Sequence, residues 1–299
     1  MAAVLPALVP VGFIIIIGFI AARTLTLEKQ SLSQLAIYIL SPALIASSLY
    51  RTTLSAESTV LLIAGFAITS WLVYLATQGL GKLCKLSPPV QKSLIASTLF
   101  PNTGNFGLPF ITFALGEAGL ERAIVCLIAA AIILFSAGPA SIEGGGFLAG
   151  VRLTLKLPLI WAMLAGLILR LFAIELPWQL DKGVEMLGNA SIPIALVILG
   201  MQLASTRFAV GIYEASAAVL RLLVSPLIAY FVGRYLLDMD GLDVQVLVLD
   251  LAMPTAVNTV VLVTEFGGDA PRAARTVVVS TLMSFFTLPF VLWASTNFG

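Results

Sequence analysis

The feature that most constrains this chain is its series of long apolar segments, each close to the length needed to cross a lipid bilayer. A membrane-spanning helix needs about 20 predominantly apolar residues. Windows of that size recur ten times, at residues 4–22, 31–50, 59–80, 90–116, 120–140, 156–172, 181–203, 211–236, 243–265 and 272–295. Only 10% of the residues are charged, against about 25% in soluble domains. The sequence predicts an all-α polytopic membrane protein with ten transmembrane helices.

The composition excludes several kinds of chemistry. The chain has no histidine, which excludes imidazole catalysis and histidine-ligated metals. Cys84 and Cys126 have no metal-binding spacing, and a net charge of +1 gives no basic field for nucleic acid. Paired catalytic carboxylates are also missing, so we expect no enzyme activity, cofactor or metal. A channel would need a continuous polar lining, which the apolar windows do not supply.

The basic residues predict the orientation. Ten of the 16 Lys and Arg residues lie in one set of alternate loops and five lie in the other set. Cytoplasmic loops carry the excess of Lys and Arg, so the richer side is predicted to be cytoplasmic and both termini extracytoplasmic. The first window lacks the positive leader region of a cleaved signal peptide. We therefore expect a multi-pass protein of the cell (inner) membrane.

The two halves of the chain share a pattern of proline, glycine, serine and asparagine. Pro10 with Gly18 matches Pro158 with Gly166, Ser41-Pro42 matches Ser191-Ile192-Pro193, and Pro101 with Asn105 matches Pro254 with Asn258. Residues 1–140 are predicted to form a first five-helix repeat, 141–155 a short cytoplasmic linker and 156–299 a second repeat. Because five is an odd number, the second repeat is inverted relative to the first. Inverted repeats are typical of secondary transporters.

The fourth and ninth windows each contain a break. Two prolines and two glycines in Phe100–Pro109, and Pro254 in the ninth window, interrupt regular helix. At about 1.5 Å per residue both breaks fall near the middle of a core about 30 Å thick. The following helices begin near Asn105 and Asn258, good N-cap residues, so two positive helix ends converge where a carboxylate could bind. The alternative is two kinked but otherwise ordinary helices.

The predicted site residues follow from these breaks. The predicted substrate-binding residues are Asn102, Thr103, Asn105, Thr255 and Asn258, and the predicted break residues are Pro101, Gly104 and Pro254. Residues that could line the pathway from the opposite side are Ser47, Ser48 and Gln202.

Asp250 and Arg221 lie well inside the ninth and eighth windows. An ionisable group at such depth is costly unless it is paired or hydrated. Three explanations stay open: the two residues form an ion pair, Asp250 carries a proton that couples transport to the proton gradient, or one side chain reaches water by snorkelling.

The broken stretches resemble those of the auxin efflux carrier (membrane transport protein) family. The similar segments are Phe100–Pro109, Met253–Asn258, Leu199–Leu203, Ser280–Leu282 and Leu288-Pro289. The resemblance extends over essentially the whole chain. The loop between the fifth and sixth windows is short, which is similar to bacterial members and differs from plant members with a long regulatory loop.

The resemblance implies an elevator-type carrier of small organic anions, similar in architecture to bile-acid symporters and sodium/proton antiporters. Helices one, two, six and seven would form a scaffold, often dimeric, and the others a moving transport domain in which broken helices 4 and 9 cross. The implied partners are the lipid bilayer, a second copy of the chain and a substrate such as an auxin-like monocarboxylate or a malate- or malonate-type dicarboxylate. The alternative function is a sodium-coupled organic-anion symporter resembling the bile-acid family.

Overall fold

The computed structural model describes residues 4–133, 155–205 and 209–298. The predicted linker at 141–155 lies almost entirely outside the described residues. Within them the secondary structure is helical, apart from turns and a single antiparallel β-bridge. The prediction of an all-α protein is confirmed for this part of the chain.

The helices follow one another through short connections. Their bounds are Val4–Thr24 (α1), Lys29–Leu35 (α2), Ser41–Arg51 (α3), Ala56–Leu83 (α4), Pro88–Leu99 (α5), Leu108–Ile132 (α6), Pro158–Leu171 (α7), Leu180–Ser205 (α8), Ile212–Val219 (α9), Ser225–Phe231 (α10), Gly241–Asp250 (α11), Asn258–Glu265 (α12) and Ala270–Phe298 (α13). Wide π-helical turns occupy Ala36–Leu40, Thr103–Gly107, Leu220–Val224 and Val232–Leu236. A 3₁₀ turn, Pro177–Gln179, precedes α8.

Five helical segments in the described ranges are long and apolar enough to cross a membrane. They are Lys29–Arg51, Ala56–Leu83, Pro177–Ser205, Ile212–Leu236 and Ala270–Thr296. Two shorter apolar helices are Leu8–Thr24 and Pro158–Leu171. Helix is also present in the described part of every other predicted window. The structure therefore has the several apolar helices of a multi-pass membrane protein, and ten crossings stay a prediction.

Two of the π turns have a local cause in proline. Pro42 and Pro226 are the second residues of α3 and α10, directly after a π turn. Proline has no N–H to donate and its ring clashes with the carbonyl four residues earlier, so the turn before it widens. The chain continues through both turns, and Lys29–Arg51 and Ile212–Leu236 are each one extended helical segment.

One group of helices packs with its backbones in close contact. A Cβ atom on Gly18 would lie 2.2 Å from the carbonyl oxygen of Val197, and one on Gly200 would lie 2.1 Å from that of Ile15. Glycine at these positions is what lets α1 and α8 approach so closely. α3 packs in the same way against α7 and also touches α8. These helices are called the first group below.

The second group packs around the two breaks. α5 contacts α4 and α13, α11 contacts α6 and α10, and α9 lies along α13. Phe106, Phe110, Leu247 and Met253 are fully buried between these helices. The residues after the first break and before the second therefore belong to the largest hydrophobic core of the described residues, whereas Leu99 and Phe100 belong to a smaller cluster.

Two ion pairs join helices within the second group. Arg122 near the middle of α6 binds the buried Asp243 at the start of α11. Arg275 in the second turn of α13 binds the buried Glu214 at the start of α9, with Nε 2.8 Å from Oε1. Arg122 and Arg275 are related by the same offset as the two breaks. The two arginines therefore occupy equivalent positions of the two halves, whereas their acidic partners begin two different helices, α11 and α9.

Candidate functional site

Both predicted breaks are present in the structure. The backbone leaves helical geometry after α5 and becomes helical again at the π turn Thr103–Gly107, which leads into α6. α11 ends at Asp250, and α12 begins at Asn258. Pro101 and Pro254 lie inside these two gaps. Neither proline can donate a backbone hydrogen bond, so each gap must satisfy its other backbone groups elsewhere.

The two gaps satisfy each other. The Asn102 N–H donates to the Pro254 carbonyl oxygen at 2.8 Å, and the Ala256 N–H donates to that of Phe100 at 3.0 Å. The residues between them form the single antiparallel bridge. Irregular backbone is tolerated at membrane depth only where protein or water satisfies it. The structure therefore brings the two predicted breaks together, which two independent kinks would not do.

A cavity of about 180 Å³ lies beside this bridge. Its polar side chains are those of Ser41, Asn102, Thr103, Asn105 and Asn258. Its apolar walls include Ile37, Ile45, Phe66, Leu99, Leu127 and Ile133. Four of the five predicted substrate-binding residues therefore share one cavity wall, and the described lining contains no charged residue.

The capping role predicted for the two asparagines is wrong. Asn105 lies inside the π turn, whose N-cap position is held by Asn102 without a side-chain cap bond. Asn258 is the first residue of α12, after an N-cap Val257. Each break is shorter than the sequence pattern indicated, because the N-cap lies three residues earlier than predicted at the first break and one residue earlier at the second. Both amide side chains are thereby left to line the cavity.

Thr255 has a different environment from the other predicted binding residues. It is fully buried, and its hydroxyl donates to the Ser97 carbonyl oxygen at 2.7 Å. Its backbone N–H donates to Ser280 Oγ at 3.1 Å. Thr255 does not line the cavity. Its contacts fasten the second break to α5 and α13.

The first group lines the cavity with residues other than those predicted from the sequence. Ser47, Ser48 and Gln202 do not line the cavity. Ile37, Ser41 and Ile45 do so instead, at the four-residue spacing of one helix face. Ser41 also lies with its hydroxyl oxygen 3.2 Å from that of Ser191. The Ser-Pro match between the two halves was the signal that could have identified Ser41.

A family profile described as membrane transport protein matches residues 3–146 and 149–292. The chain belongs to the membrane transport protein family. This confirms the resemblance found in the sequence, since the auxin efflux carriers are the same family. Together with the apolar helices, it makes the chain a multi-pass membrane transport protein.

This membrane transport protein is similar to curated proteins that are named transporters, and the similarity extends over nearly their full length. An uncharacterised transporter of Methanothermobacter thermautotrophicus is 29% identical over 280 residues, covering 89% of this chain and 88% of the relative. An uncharacterised transporter of Methanocaldococcus jannaschii is 26% identical, covering 90% and 91%. A protein of Rhizobium meliloti named "Putative malonate transporter" is 23% identical, covering 98% and 96%.

The buried charges of this membrane transport protein lie behind the cavity wall. Arg221 and Asp250 are both fully buried, so the snorkelling explanation is wrong. Within the described residues they form no ion pair, and neither carboxylate oxygen of Asp250 accepts a hydrogen bond. Arg221 donates instead to the carbonyl oxygens of Thr98, at 2.7 Å, and Leu251. The direct ion pair, one of the three explanations left open by the sequence, is therefore not formed.

Asp250 lies next to Gly107, a residue of the π turn that follows the first break. A Cβ atom on Gly107 would lie 3.1 Å from Oδ1 of Asp250. Gly107 ends the π turn whose residues Asn105 and Thr103 line the cavity. A side chain at position 107 would force the Asp250 carboxyl group to move by a few tenths of an ångström, so glycine accommodates this close approach. The Asp250 carboxyl group therefore lies against the π turn that contributes Thr103 and Asn105 to the cavity lining.

Proposed function

We propose that this chain is a secondary transporter that moves small organic anions across the cell (inner) membrane, with the substrate carboxylate bound in the cavity beside the bridge. The observation that carries the proposal is the convergence of Asn102, Thr103, Asn105 and Asn258 on one cavity. Amide and hydroxyl groups donate hydrogen bonds to a carboxylate. The starts of α12 and of the helix after the first break each add about half a positive charge.

The lining favours an anion with one carboxylate and an apolar body. Polar side chains occupy one part of the cavity, and the remaining walls are aliphatic or aromatic, with Phe66 and Leu127 among them. A second carboxylate would meet apolar walls without a basic partner in the described lining, which is costly. The name of the Rhizobium relative supports a dicarboxylate of the malonate type. Both classes belong to the proposal, and the first is preferred.

The full architecture in this proposal is ten crossings in two inverted repeats, 1–140 and 156–299, with both termini extracytoplasmic. The family match in two adjoining segments supports the duplication. Contacts also join loops assigned to the same side. Arg51 binds Asp181 and Glu185, and Lys92 donates to the carbonyl oxygen of Phe266 at 2.9 Å. If the number of crossings between two such partners were odd, they would lie on opposite sides of the membrane and could not be in contact.

We propose that the second group moves as the transport domain against the first group, which acts as the scaffold, in an elevator-type cycle. The support is the position of the cavity, which has Ile37, Ser41 and Ile45 on one side and the broken helices on the other. Sliding one wall along the other would expose the substrate to each face in turn. Scaffold helices are also the proposed contact of a homodimer.

A binding screen on the purified full-length protein tests the function. The melting temperature is measured with phenylacetate, indole-3-acetate, malonate and malate, and with the neutral phenylacetamide as a matched control. Binding to the folded state raises the apparent stability. We expect stabilisation by carboxylates and none by the amide, followed by exchange of the best ligand in proteoliposomes. Equal effects of acid and amide would contradict the proposed carboxylate site.

Site variants connect the screen to the cavity. Asn105→Ala and Asn258→Ala remove two lining amides, whereas Asn189→Ala removes an exposed amide of α8 and serves as the control. The sodium-coupled alternative predicts that binding and uptake require Na⁺ at fixed pH. Equal binding in NaCl and choline chloride would reject that alternative.

A further inference from the structure

Arg221 is the largest fully buried side chain among the described residues. It lies in the π turn Leu220–Val224 between α9 and α10. Its Nη1 donates to the carbonyl oxygen of Thr98 at 2.7 Å, and its Nη2 donates to that of Leu251. One guanidinium group therefore bridges two segments that are far apart in sequence.

The two acceptors occupy equivalent places in the broken helices. Thr98 is in the last turn of α5, and Leu251 directly follows α11. Both carbonyl groups belong to the C-terminal ends of half-helices, where the macrodipole places about half a negative charge. In secondary transporters with discontinuous helices, such carbonyl groups coordinate the coupling cation.

We propose that the Arg221 guanidinium is a permanent, covalently attached substitute for a coupling cation, so that the crossing of the broken helices is complete without sodium. Arginine stays protonated in proteins, and its planar fork can reach two acceptors at once. The inference rests on the proposed transport function and rejects the sodium-coupled form of it. Arg221 is thereby a positioning residue, since it does not line the cavity.

The charges around Arg221 agree with this assignment. The buried Asp250 carboxylate attracts the guanidinium without a direct hydrogen bond. Asp250 and the two half-helix ends together form a negative region. Among the described hydrogen bonds and ion pairs, Arg221 is the one basic residue that contacts this region. The bridge joins the two breaks, and Arg221 joins the C-terminal ends of the two half-helices that precede them.

The first measurement uses the unaltered protein. Its melting temperature, and its binding of the best carboxylate from the screen, are compared in NaCl, KCl and choline chloride at equal ionic strength. The proposal expects no difference between the three salts. A specific requirement for sodium in either measurement would overturn it.

The second measurement is chemical rescue of Arg221→Ala. Guanidinium chloride at low millimolar concentration, far below denaturing levels, should raise the melting temperature of this variant by several degrees and restore carboxylate binding. Arg234→Ala, which removes an exposed arginine of the same helical segment, should show neither a loss nor a rescue. Urea at the same concentration controls for non-specific effects. An Arg221→Ala variant that guanidinium stabilises no more than Arg234→Ala would contradict the proposal.

A third variant keeps the inference testable if Arg221→Ala does not fold. Arg221→Lys retains a charge, but a compact ammonium group lacks the fork that reaches both acceptors. We expect a melting temperature below that of the unaltered protein and a gain on adding guanidinium. A variant as stable as the unaltered protein, with no gain on adding guanidinium, would contradict the role proposed for the guanidinium group. Carboxylate binding that fails while guanidinium rescue succeeds would reject the proposed function and leave this inference standing.

Discussion

Asp250→Asn is the substitution that best separates the roles open to this carboxylate. Asp250 is the last residue of α11, is fully buried and accepts no hydrogen bond from the described residues. Arg221 already has two carbonyl acceptors. The substitution therefore removes a charge and leaves the hydrogen bonds of Arg221 intact.

The expected change in the free energy of unfolding is small. Breaking a buried, hydrogen-bonded ion pair costs about 3–5 kcal/mol. Here the lost attraction is below about 4 kcal/mol, the Coulomb energy at contact distance for an effective dielectric constant of about 20. Removing a buried charge also recovers a desolvation penalty of several kcal/mol. The two terms oppose each other, so we expect a net change of roughly 1 kcal/mol or less.

The assay combines a melting curve with carboxylate binding measured across a pH series. If Asp250 takes up the coupled proton, binding to the unaltered protein weakens as the pH rises. Asp250→Asn, which mimics the protonated group, then binds equally well across the series and no longer accumulates substrate along a proton gradient. Asp238→Asn, at an exposed position, is the control. A loss of 3–5 kcal/mol would show that the ion pair forms, and a stable variant with unchanged pH dependence and accumulation would refute proton coupling.

Four further outcomes are expected. Asn105→Ala and Asn258→Ala should each weaken carboxylate binding by roughly 10- to 100-fold, because a hydrogen bond to a charged group contributes about 1.5–3 kcal/mol. Titration calorimetry on the folded variants measures this change in affinity. Thr255→Val should lower stability by about 1 kcal/mol and leave affinity unchanged, and a change in affinity alone would contradict its structural role. Gly200→Val should prevent folding or lower the melting temperature strongly, since a Cβ has no room there. In a Cys84→Ser background, Asn105→Cys should react with an impermeant thiol reagent from either side of the membrane, and access from one side only would refute alternating access.

The broken helices could be predicted from sequence because their causes are local. The close spacing of prolines and glycines around Pro101 and Gly104, and the proline at position 254, disfavour regular helix, and their matching positions in the two halves pointed to one site. Single prolines do not suffice, since Pro10, Pro193 and Pro289 lie inside continuous helices. Asn105 and Asn258 were selected as caps, a role the structure does not give them. Both residues nevertheless line the cavity beside the bridge, and their role in substrate binding stays a prediction.

The contacts across the breaks could not be predicted in the same way. The bond from Thr255 to the Ser97 carbonyl oxygen joins residues 158 positions apart and involves a backbone acceptor that every residue type carries. The two acceptors of Arg221 are also backbone groups. Sequence reasoning pairs a buried cation with a buried acid, and here that assumption selected Asp250 in place of two carbonyl groups.

The bridge between the two breaks has a consequence for biogenesis. Asn102 N–H and the Phe100 carbonyl find their partners in a segment that the ribosome makes only after most of the chain. Until that segment is made, these backbone groups in the fourth window of the first half have no main-chain partner, and lipid hydrocarbon cannot form hydrogen bonds with them. The newly inserted first half must therefore keep this stretch hydrated or held by the insertion machinery, and a chain truncated before Pro254 should be a substrate for membrane quality control.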